Sequence, residues 1–514
     1  MICKRLYAVP TRVYVDHMKR NVSRRFFLGS AAAGLLSPAA FAAPPTTSLR
    51  PVLRGDDLYR QSIPEAADII AQAKLSGRVS FALADASTGA VLEQTNSLVG
   101  MPPASVTKAI TALYALDVLG ADHQFETRLL ATGEIVNGEL QGDLILAGGA
   151  DPTLNTDSLA EMAAKLKQAG IPRVRGAFKV YESYLPMIDR IDPDQPDHVG
   201  YNPAVTGVAL NYNRVHFEWK RNKDSYAVTM DGRSGKYRPE VAMAVMQIQD
   251  RASPLYTYTD SGARDDWTVA KSALGSGGAR WLPVRKPGLY AGDIFATMAG
   301  AQGIRLARPQ IMTGPLAGTV VVVQKSEALR EILRDMLKYS TNLTAEMAGL
   351  AATTARGRQP ETLKDSAAEM NHWAKQNLGM DAPALVDHSG LGEDSRLSAR
   401  DMMTALVKVY GSGTLKPILK TVKLRDSKGR PMSNHPIKVE AKTGTLNFVS
   451  ALAGYMTAPN GRVMAFAIFA ADEPRRATLS RAQRERPEGG RSWNGRAKRL
   501  QQSLIERWGA YHAV

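Results

Sequence analysis

The chain has 514 residues, of which 44% are hydrophobic, 22% charged and 7% aromatic, with 43 Gly and 28 Pro; that balance excludes a largely disordered, collagenous or fibrous protein. Its single cysteine, Cys3, excludes an internal disulfide and any metal site built on several thiolates. The net charge of +16 is spread diffusely, with no basic helix, finger or aromatic-basic repeat, so nucleic acid is not an expected partner and an anionic surface is.

Residues 1–42 read as an export leader. Ser23-Arg24-Arg25-Phe26-Phe27-Leu28 sets an arginine pair before an apolar run that Gly29, Gly34 and Pro38 interrupt. The run is too short for a membrane span and ends in Ala40-Phe41-Ala42, the small-x-small pattern of a cleavage site. The arginine pair gives it the look of a twin-arginine signal. Met18 offers an alternative start that would leave Cys3 out of the protein. Without residues 1–42 the net charge is +10. No later stretch is apolar enough to span a bilayer, so an exported, periplasmic protein without a transmembrane segment is expected.

Residues 77–98 predict a hairpin, with Val79, Phe81, Leu83 and Val91, Leu92 flanking a Ser87-Thr88-Gly89 turn. Pro102-Pro103 punctuates the chain and Ser105 opens a helix. Val106, Ala109, Ile110, Leu113, Leu116 and Leu119 recur at helical spacing, and the helix is apolar almost all round, so it should be central and buried. A strand at 143–146, a loop at 148–152 and an amphipathic helix at 159–169 follow. From about 170 to 310, short strand-like runs alternate with Gly, Pro, Asn and Asp, which suggests an inserted β-rich module. Within it Asp189, Asp192, Asp194 and Asp197 lack the glycine of a calcium loop and read as a solvated loop. Helical periodicity returns at 327–338, 345–354, 367–376 and 399–410. Strands are predicted at 437–444, 448–456 and 463–470. A polar loop at 471–495 leads to an amphipathic helix, 497–508, packed on a sheet.

Three short motifs carry chemistry. In Ser105-Val106-Thr107-Lys108, the only Ser-x-x-Lys in the chain, residues three apart on a helix share a face and bring a hydroxyl to an amine. A serine hydroxyl needs a base to become a nucleophile, and a buried lysine whose pKa is lowered can serve. The helix N-terminus adds partial positive charge for a developing oxyanion. In Ser340-Thr341-Asn342, a second hydroxyl can relay a proton and an amide can hold both a substrate carbonyl and an amine. In Lys442-Thr443-Gly444-Thr445, Lys and Thr can bind a carboxylate, and Gly444 leaves room for an extended substrate along a strand edge.

Ser-x-x-Lys, Ser-x-Asn and Lys-Thr-Gly are the active-site set of penicillin-binding proteins and serine β-lactamases, and the chain resembles that superfamily. More closely it resembles the D-Ala-D-Ala carboxypeptidase/endopeptidases, the class C low-molecular-mass penicillin-binding proteins. The flanks carry the likeness: Pro103-Ala104 before Ser105, Gly142-Asp143-Leu144 with Gly148-Gly149-Ala150-Asp151-Pro152, Leu343-Thr344-Ala345-Glu346 after Asn342, Asp387-His388-Ser389-Gly390-Leu391, and Leu446 after Thr445. Ser105 and Ser340 are 235 residues apart and Ser340 and Lys442 are 102 apart; the long first interval fits domains inserted after the nucleophile helix. Two positions depart from the family pattern: Thr341, where Asp or Asn is frequent, and His388, where Gly is usual.

The resemblance implies an α/β (α+β) transpeptidase fold of the penicillin-binding-protein/serine β-lactamase kind, an antiparallel sheet flanked by helices with inserted β-rich domains. The expected division is a cleaved signal peptide at 1–42, catalytic parts at 43–131 and 318–514, and accessory insertion at 132–317. It implies Ser105 as the acylated nucleophile, Lys108 as its base, Ser340 as proton relay and Asn342 as a substrate-positioning amide. Lys442, Thr443 and Thr445 would orient the terminal carboxylate, and the N–H groups of Ser105 and Thr445 would form the oxyanion hole. The implied substrates are peptidoglycan peptides ending in D-Ala-D-Ala or cross-linked through D-Ala, with β-lactams as inhibitors and no metal or organic cofactor. A β-lactamase or esterase of the same superfamily and a non-catalytic wall-binding scaffold are the competing readings.

Overall fold

The computed structural model describes residues 56–513; the leader expected at 1–42, with its alternative start at Met18, lies outside them. One antiparallel sheet organises the part of the chain that carries the three motifs. Its strands are β1 (Arg78–Asp85), β2 (Val91–Thr95), β3 (Lys438–Leu446), β4 (Val449–Thr457), β5 (Val463–Ala471) and the short Lys420–Thr421. The spatial order is Lys420–Thr421, β3, β4, β5, β1, β2, so strands from both ends of the chain close one sheet. β1 and β2 form the predicted hairpin, with a register shift between Leu83 and Ala84.

The central strands read as continuous apolar runs because both faces are covered. Side chains alternate across a strand, and the alternation here sorts by size. Ala82, Ala84, Ala465 and Ala467 point to one layer, while Phe81, Leu83, Phe466 and Ile468 point to the other. The large side chains meet α6, which is the last helix in the chain (Gly490–Tyr511), through Trp493, Leu500, Leu504 and Trp508. Phe81 and Trp508 place their ring centroids 5.5 Å apart. The alanines allow close approach of the opposite layer, which holds α1 (Thr107–Leu119), α2 (Leu329–Tyr339), α3 (Asn342–Ala355), α4 (Leu363–Leu378) and α5 (Ala399–Tyr410). Ten consecutive residues of α1, Thr107 to Leu116, are buried, as its all-round apolarity predicts. This mixed α/β architecture, an antiparallel sheet between helical layers, matches the expected fold class.

A second core lies between α1 and α2 in sequence. Its largest sheet has five strands, in the order Gln310–Ile311, Phe178–Tyr181, Leu144–Ala147, Glu126–Ala131, Thr319–Lys325. The two chain crossings pair with each other: Glu126–Ala131 runs antiparallel to Thr319–Lys325. These strands flank the expected junctions at 131/132 and 317/318, and both stand in this second sheet. Three three-stranded sheets and the helices Thr156–Gln168 and Pro287–Ala301 complete the lobe. The second of those helices stands in the stretch read as β-rich. Pro287 starts it, Gly288 sits against Glu182 and Gly292 against Pro309, where an added Cβ would come within 2.4 Å of the proline ring. Its glycines serve packing and conceal its helical character.

The expected polar loop at 471–495 is instead built structure: a helix at Glu473–Ala477, a 3₁₀ turn at Arg481–Glu485 and the first turn of α6. In the acidic run at 189–197, Asp189 and Asp194 are exposed as expected, whereas Asp192 is buried and Asp197 pairs with Arg190 and Arg481. Among the described residues no helix is long and apolar enough to cross a membrane.

Candidate active site

The turn that carries Ser105 is set by packing against two glycines. Pro102-Pro103 delays the helix, and Ala104 takes a left-handed φ of 46° before the 3₁₀ turn Ala104–Val106 runs into α1. That conformation costs an alanine on the order of 1 kcal/mol. A Cβ on Gly390 would stand 1.9 Å from the Ala104 carbonyl oxygen, and one on Gly444 would stand 2.8 Å from that of Pro103. The turn therefore fits only between residues without side chains, and Ser105 emerges from it partly exposed.

Lys108 stands one turn further, fully buried. Its Nζ donates to Ser105 Oγ at 3.0 Å, to Asn342 Oδ1 at 2.7 Å and to the Ser389 carbonyl at 2.7 Å. Burial pulls its pKa down to about 8, with Glu346 and Asp387 pulling the other way.

Ser340 ends α2 in a left-handed conformation, φ 61°, Thr341 is the N-cap of α3 and Asn342 its first residue. Asn342 uses both ends of its amide: Oδ1 accepts from Lys108, and Nδ2 donates to the Tyr201 carbonyl of the second lobe at 3.0 Å. Thr341 lines a separate groove with Tyr212 and Tyr339.

In β3, the two-residue period puts Lys442 and Gly444 inside and exposes Thr443 and Thr445. Lys442 Nζ donates to Ser340 Oγ at 2.9 Å and to the Thr443 carbonyl at 2.7 Å. Burial first, then the charges of Lys108 and Lys420, bring it down to about 6. Lys420–Thr421 covers β3 only at Glu440 and Ala441, so residues 442–446 have β4 on one side and, among the described residues, no strand on the other.

A cavity of about 300 Å³ joins these elements; Ser105, Ser340, Asn342 and Thr445 line it together with Tyr201, Arg476 and Asn494. Lys108 and Lys442 reach it through the hydroxyls they contact. Gly444 lies beneath the turn that carries Ser105, and Thr443 contributes its carbonyl to Lys442 rather than a side chain to the cavity wall. The arrangement supplies a hydroxyl beside a buried amine, a second such pair, and an open strand edge. Those are the parts of a serine acyl-transfer site that binds an extended peptide.

Beneath the cavity lie groups that sequence reasoning quoted only as flanks. Glu346 and Asp387 are buried, and so is His388, whose Nε2 lies 2.8 Å from Ser366 Oγ. The ring of His388 fills the space where Gly349 has no side chain, and burial alone brings its pKa down to about 3, so it is neutral. The one signal for Glu346 was its isolation, as the sole charged residue of α3. Arg476, Arg484, Glu485 and Asn494, which wall the cavity, sat in the segment dismissed as a loop.

The family model for D-Ala-D-Ala carboxypeptidase 3 (S13) matches residues 64–486. A D-alanyl-D-alanine carboxypeptidase of an Actinomadura species is 27% identical over 433 residues, 78% of this chain and 79% of the relative. D-alanyl-D-alanine carboxypeptidase DacB of Haemophilus influenzae is 24% identical over 422 residues, 78% of this chain and 87% of the relative. The crystal structure of penicillin binding protein 4 (dacB) from Haemophilus influenzae has a TM-score of 0.71 at 20% identity, covering 86% of this chain and 100% of that one. The same protein complexed with a novel β-lactam gives a TM-score of 0.65 at 21% identity, over 80% and 93% of the two chains. With the family match running over most of its length, the chain belongs to the D-Ala-D-Ala carboxypeptidase 3 (S13) family of serine-type hydrolases.

Proposed function

We propose that this protein is an exported serine DD-carboxypeptidase/DD-endopeptidase that acts on peptidoglycan stem peptides through an acyl-serine intermediate and is inhibited by β-lactams. The observation that carries this is the pairing of Ser105 Oγ with Lys108 Nζ at 3.0 Å, and of Ser340 Oγ with Lys442 Nζ at 2.9 Å, on one cavity beside an open strand edge. Export rests on the Arg24-Arg25 and Ala40-Phe41-Ala42 pattern of the leader and on the wall substrate. The accessory lobe takes the chain between α1 and α2.

The peptide lies extended along residues 442–446 and pairs with the free edge of β3. Its terminal carboxylate meets Thr445 at the cavity wall and Thr443, exposed on the same face of β3, with Lys442 behind them; a carboxylate beside Lys442 restores the ammonium that burial disfavours. Neutral Lys108 takes the Ser105 proton as Oγ attacks the penultimate D-Ala carbonyl. The N–H groups of Ser105 and Thr445 stabilise the oxyanion. As the C–N bond breaks, the proton that Lys108 took passes through Ser340 to the amine of the leaving D-Ala, which leaves Lys108 neutral again. Water then attacks the ester, its proton passing to Lys108 and from there to Ser105 Oγ as the C–O bond breaks, which frees the shortened peptide and restores the enzyme. A D-Ala cross-link is cut by the same steps, with a longer amine as leaving group. Asn342 holds Lys108 and the acyl-side carbonyl in register.

The test is incubation of the purified mature protein with fluorescent penicillin, alongside release of D-Ala from a peptide ending in D-Ala-D-Ala. Lasting label that disappears in Ser105→Ala, with D-Ala release, is expected. Rapid loss of label without D-Ala release identifies a β-lactamase, and no label identifies a non-catalytic scaffold; either outcome overturns the proposal.

A further inference from the structure

Behind Lys108 stands a carboxylate that the acyl-transfer steps do not use. Glu346 has no exposed surface and is the only charged residue of α3. Its Oε1 accepts the N–H of Ser389 and its Oε2 the N–H of His388, each at 2.9 Å. The Ser389 hydroxyl is a further partner, and burial, followed by the charge of Asp387, pushes this carboxyl up to about 8 from 4.5, against its hydrogen bonds and the charge of Lys108; it therefore titrates in the same range as the Lys108 amine. On its other side the same Ser389 backbone presents its carbonyl to Lys108 Nζ at 2.7 Å. Carboxylate and amine thus grip one residue's main chain from opposite sides, without forming a direct ion pair.

An ionised group buried without a direct counter-ion is costly unless it is well hydrogen-bonded. Two peptide N–H groups alone do not require a charge, since the amide of a glutamine side chain has an acceptor for one and the volume for the site. Once the carboxyl has lost its proton, its charge acts on Lys108 and raises the amine's affinity for a proton.

We propose that Glu346 is a positioning residue for acylation: through the backbone of Ser389 it sets both the place and the charge state of the Lys108 amine. The inference rests on the Ser105–Lys108 chemistry proposed above and deepens it. The other groups facing this cluster are few. Asp387 accepts the N–H groups of Gly390 and Gly392, each at 2.6 Å, with Asp192 beyond it. Lys442 and, behind it, Lys420 face Lys108 from the sheet side. His388 is neutral, and Tyr114 of α1, stacked near it, is held protonated by burial. Of the groups acting on Lys108, Glu346 is the foremost in opposing burial, and Asp387 follows. Removing the Glu346 charge leaves burial less opposed, so the amine loses its proton at lower pH.

The experiment compares wild type, Glu346→Gln and Glu346→Asp for the rate of fluorescent-penicillin acylation across about pH 6 to 10, together with melting temperature. Glu346→Gln is expected to fold, to acylate more slowly at high pH, and to shift the rising limb of the profile about one unit towards acid. Glu346→Asp keeps the charge but withdraws it by one methylene; its limb stays at the wild-type position while the rate falls severalfold. A folded Glu346→Gln with a wild-type limb overturns the inference while leaving the proposed function standing. If Glu346→Gln does not fold, Glu346→Asp decides: an unmoved limb with a reduced rate supports the inference, and any other pattern overturns it. A wild type that takes no label overturns the proposed function and this inference with it.

Discussion

Ala104 holds a left-handed backbone directly before Ser105, the proposed nucleophile, because Gly390 and Gly444 leave it room. Gly390 is itself left-handed, with φ 74°. An alanine there meets two penalties, its own backbone strain and a Cβ driven into the Ala104 carbonyl. The turn must move, and displacing a nucleophile by about 1 Å can cost on the order of 100-fold in rate. Gly390→Ala is therefore expected to slow penicillin acylation by about that factor, measured against a melting temperature that reports its structural cost separately. Lys108 makes a second residue-scale prediction. With its pKa near 8, the amine is an ammonium below that pH and cannot accept the Ser105 proton. Acylation should rise through a midpoint near pH 8 and level off above it. Lys108→Arg retains the cation but cannot release its proton at such pH; the rate should drop by roughly 100-fold or more, with no rising limb near pH 8.

At the scale of elements, the main sheet works by size sorting: alanines towards α1 and the helices around it, large apolar side chains towards α6. Trp508 closes the second layer against Phe81 and Phe466, with centroids 5.5 and 6.0 Å away. Trp508→Ala leaves that layer without its largest contact near the C-terminus and should cost about 3–5 kcal/mol in denaturant unfolding; a loss below about 1 kcal/mol would mean that α6 is not needed to cover the sheet. Elements like these were legible in sequence because apolar spacing records burial directly, as in β5 or α1. The three motifs were legible because each is short and local. What sequence did not disclose has one cause, partners distant along the chain. Pro287–Ala301 is a helix whose Gly288 and Gly292 make sense only beside Glu182 and Pro309. Arg476 looked like loop polarity, yet it is buried, bonded to the Asn447 carbonyl and paired with Glu393. Glu346 is isolated in α3 until residues 388 and 389 are folded against it.

For the whole molecule, the rim of the cavity is also the seam between the two lobes. Asn342 reaches the Tyr201 carbonyl, Arg481 pairs with Asp197 at 2.7 Å, and Glu485 takes Arg280 at 2.8 Å and His198 at 2.8 Å. The segment that follows β5 thus ties the second lobe beside the cavity that holds Ser105 and Ser340, and the lobe supplies Tyr201 and Gln195 to its wall. Glu485 gives this seam a pH signature. The hydrogen bond from His198, then that from Arg280, hold its carboxyl down to about 2 from 4.5. A carboxylate depressed by folding contributes its full stabilisation above its unfolded value and loses it as pH falls towards its folded one. Glu485→Gln should therefore lower the melting temperature by about 1 °C at neutral pH, the size expected of a partly exposed ion-pair cluster in a chain this long. The gap to wild type should narrow as the pH drops from about 4.5 towards 2. Acylation by penicillin should weaken in parallel at neutral pH, because the Asn342–Tyr201 bond shares the seam. A gap that stays constant down to pH 2 would show that the lobes are held by packing and neutral hydrogen bonds rather than by the charge of Glu485.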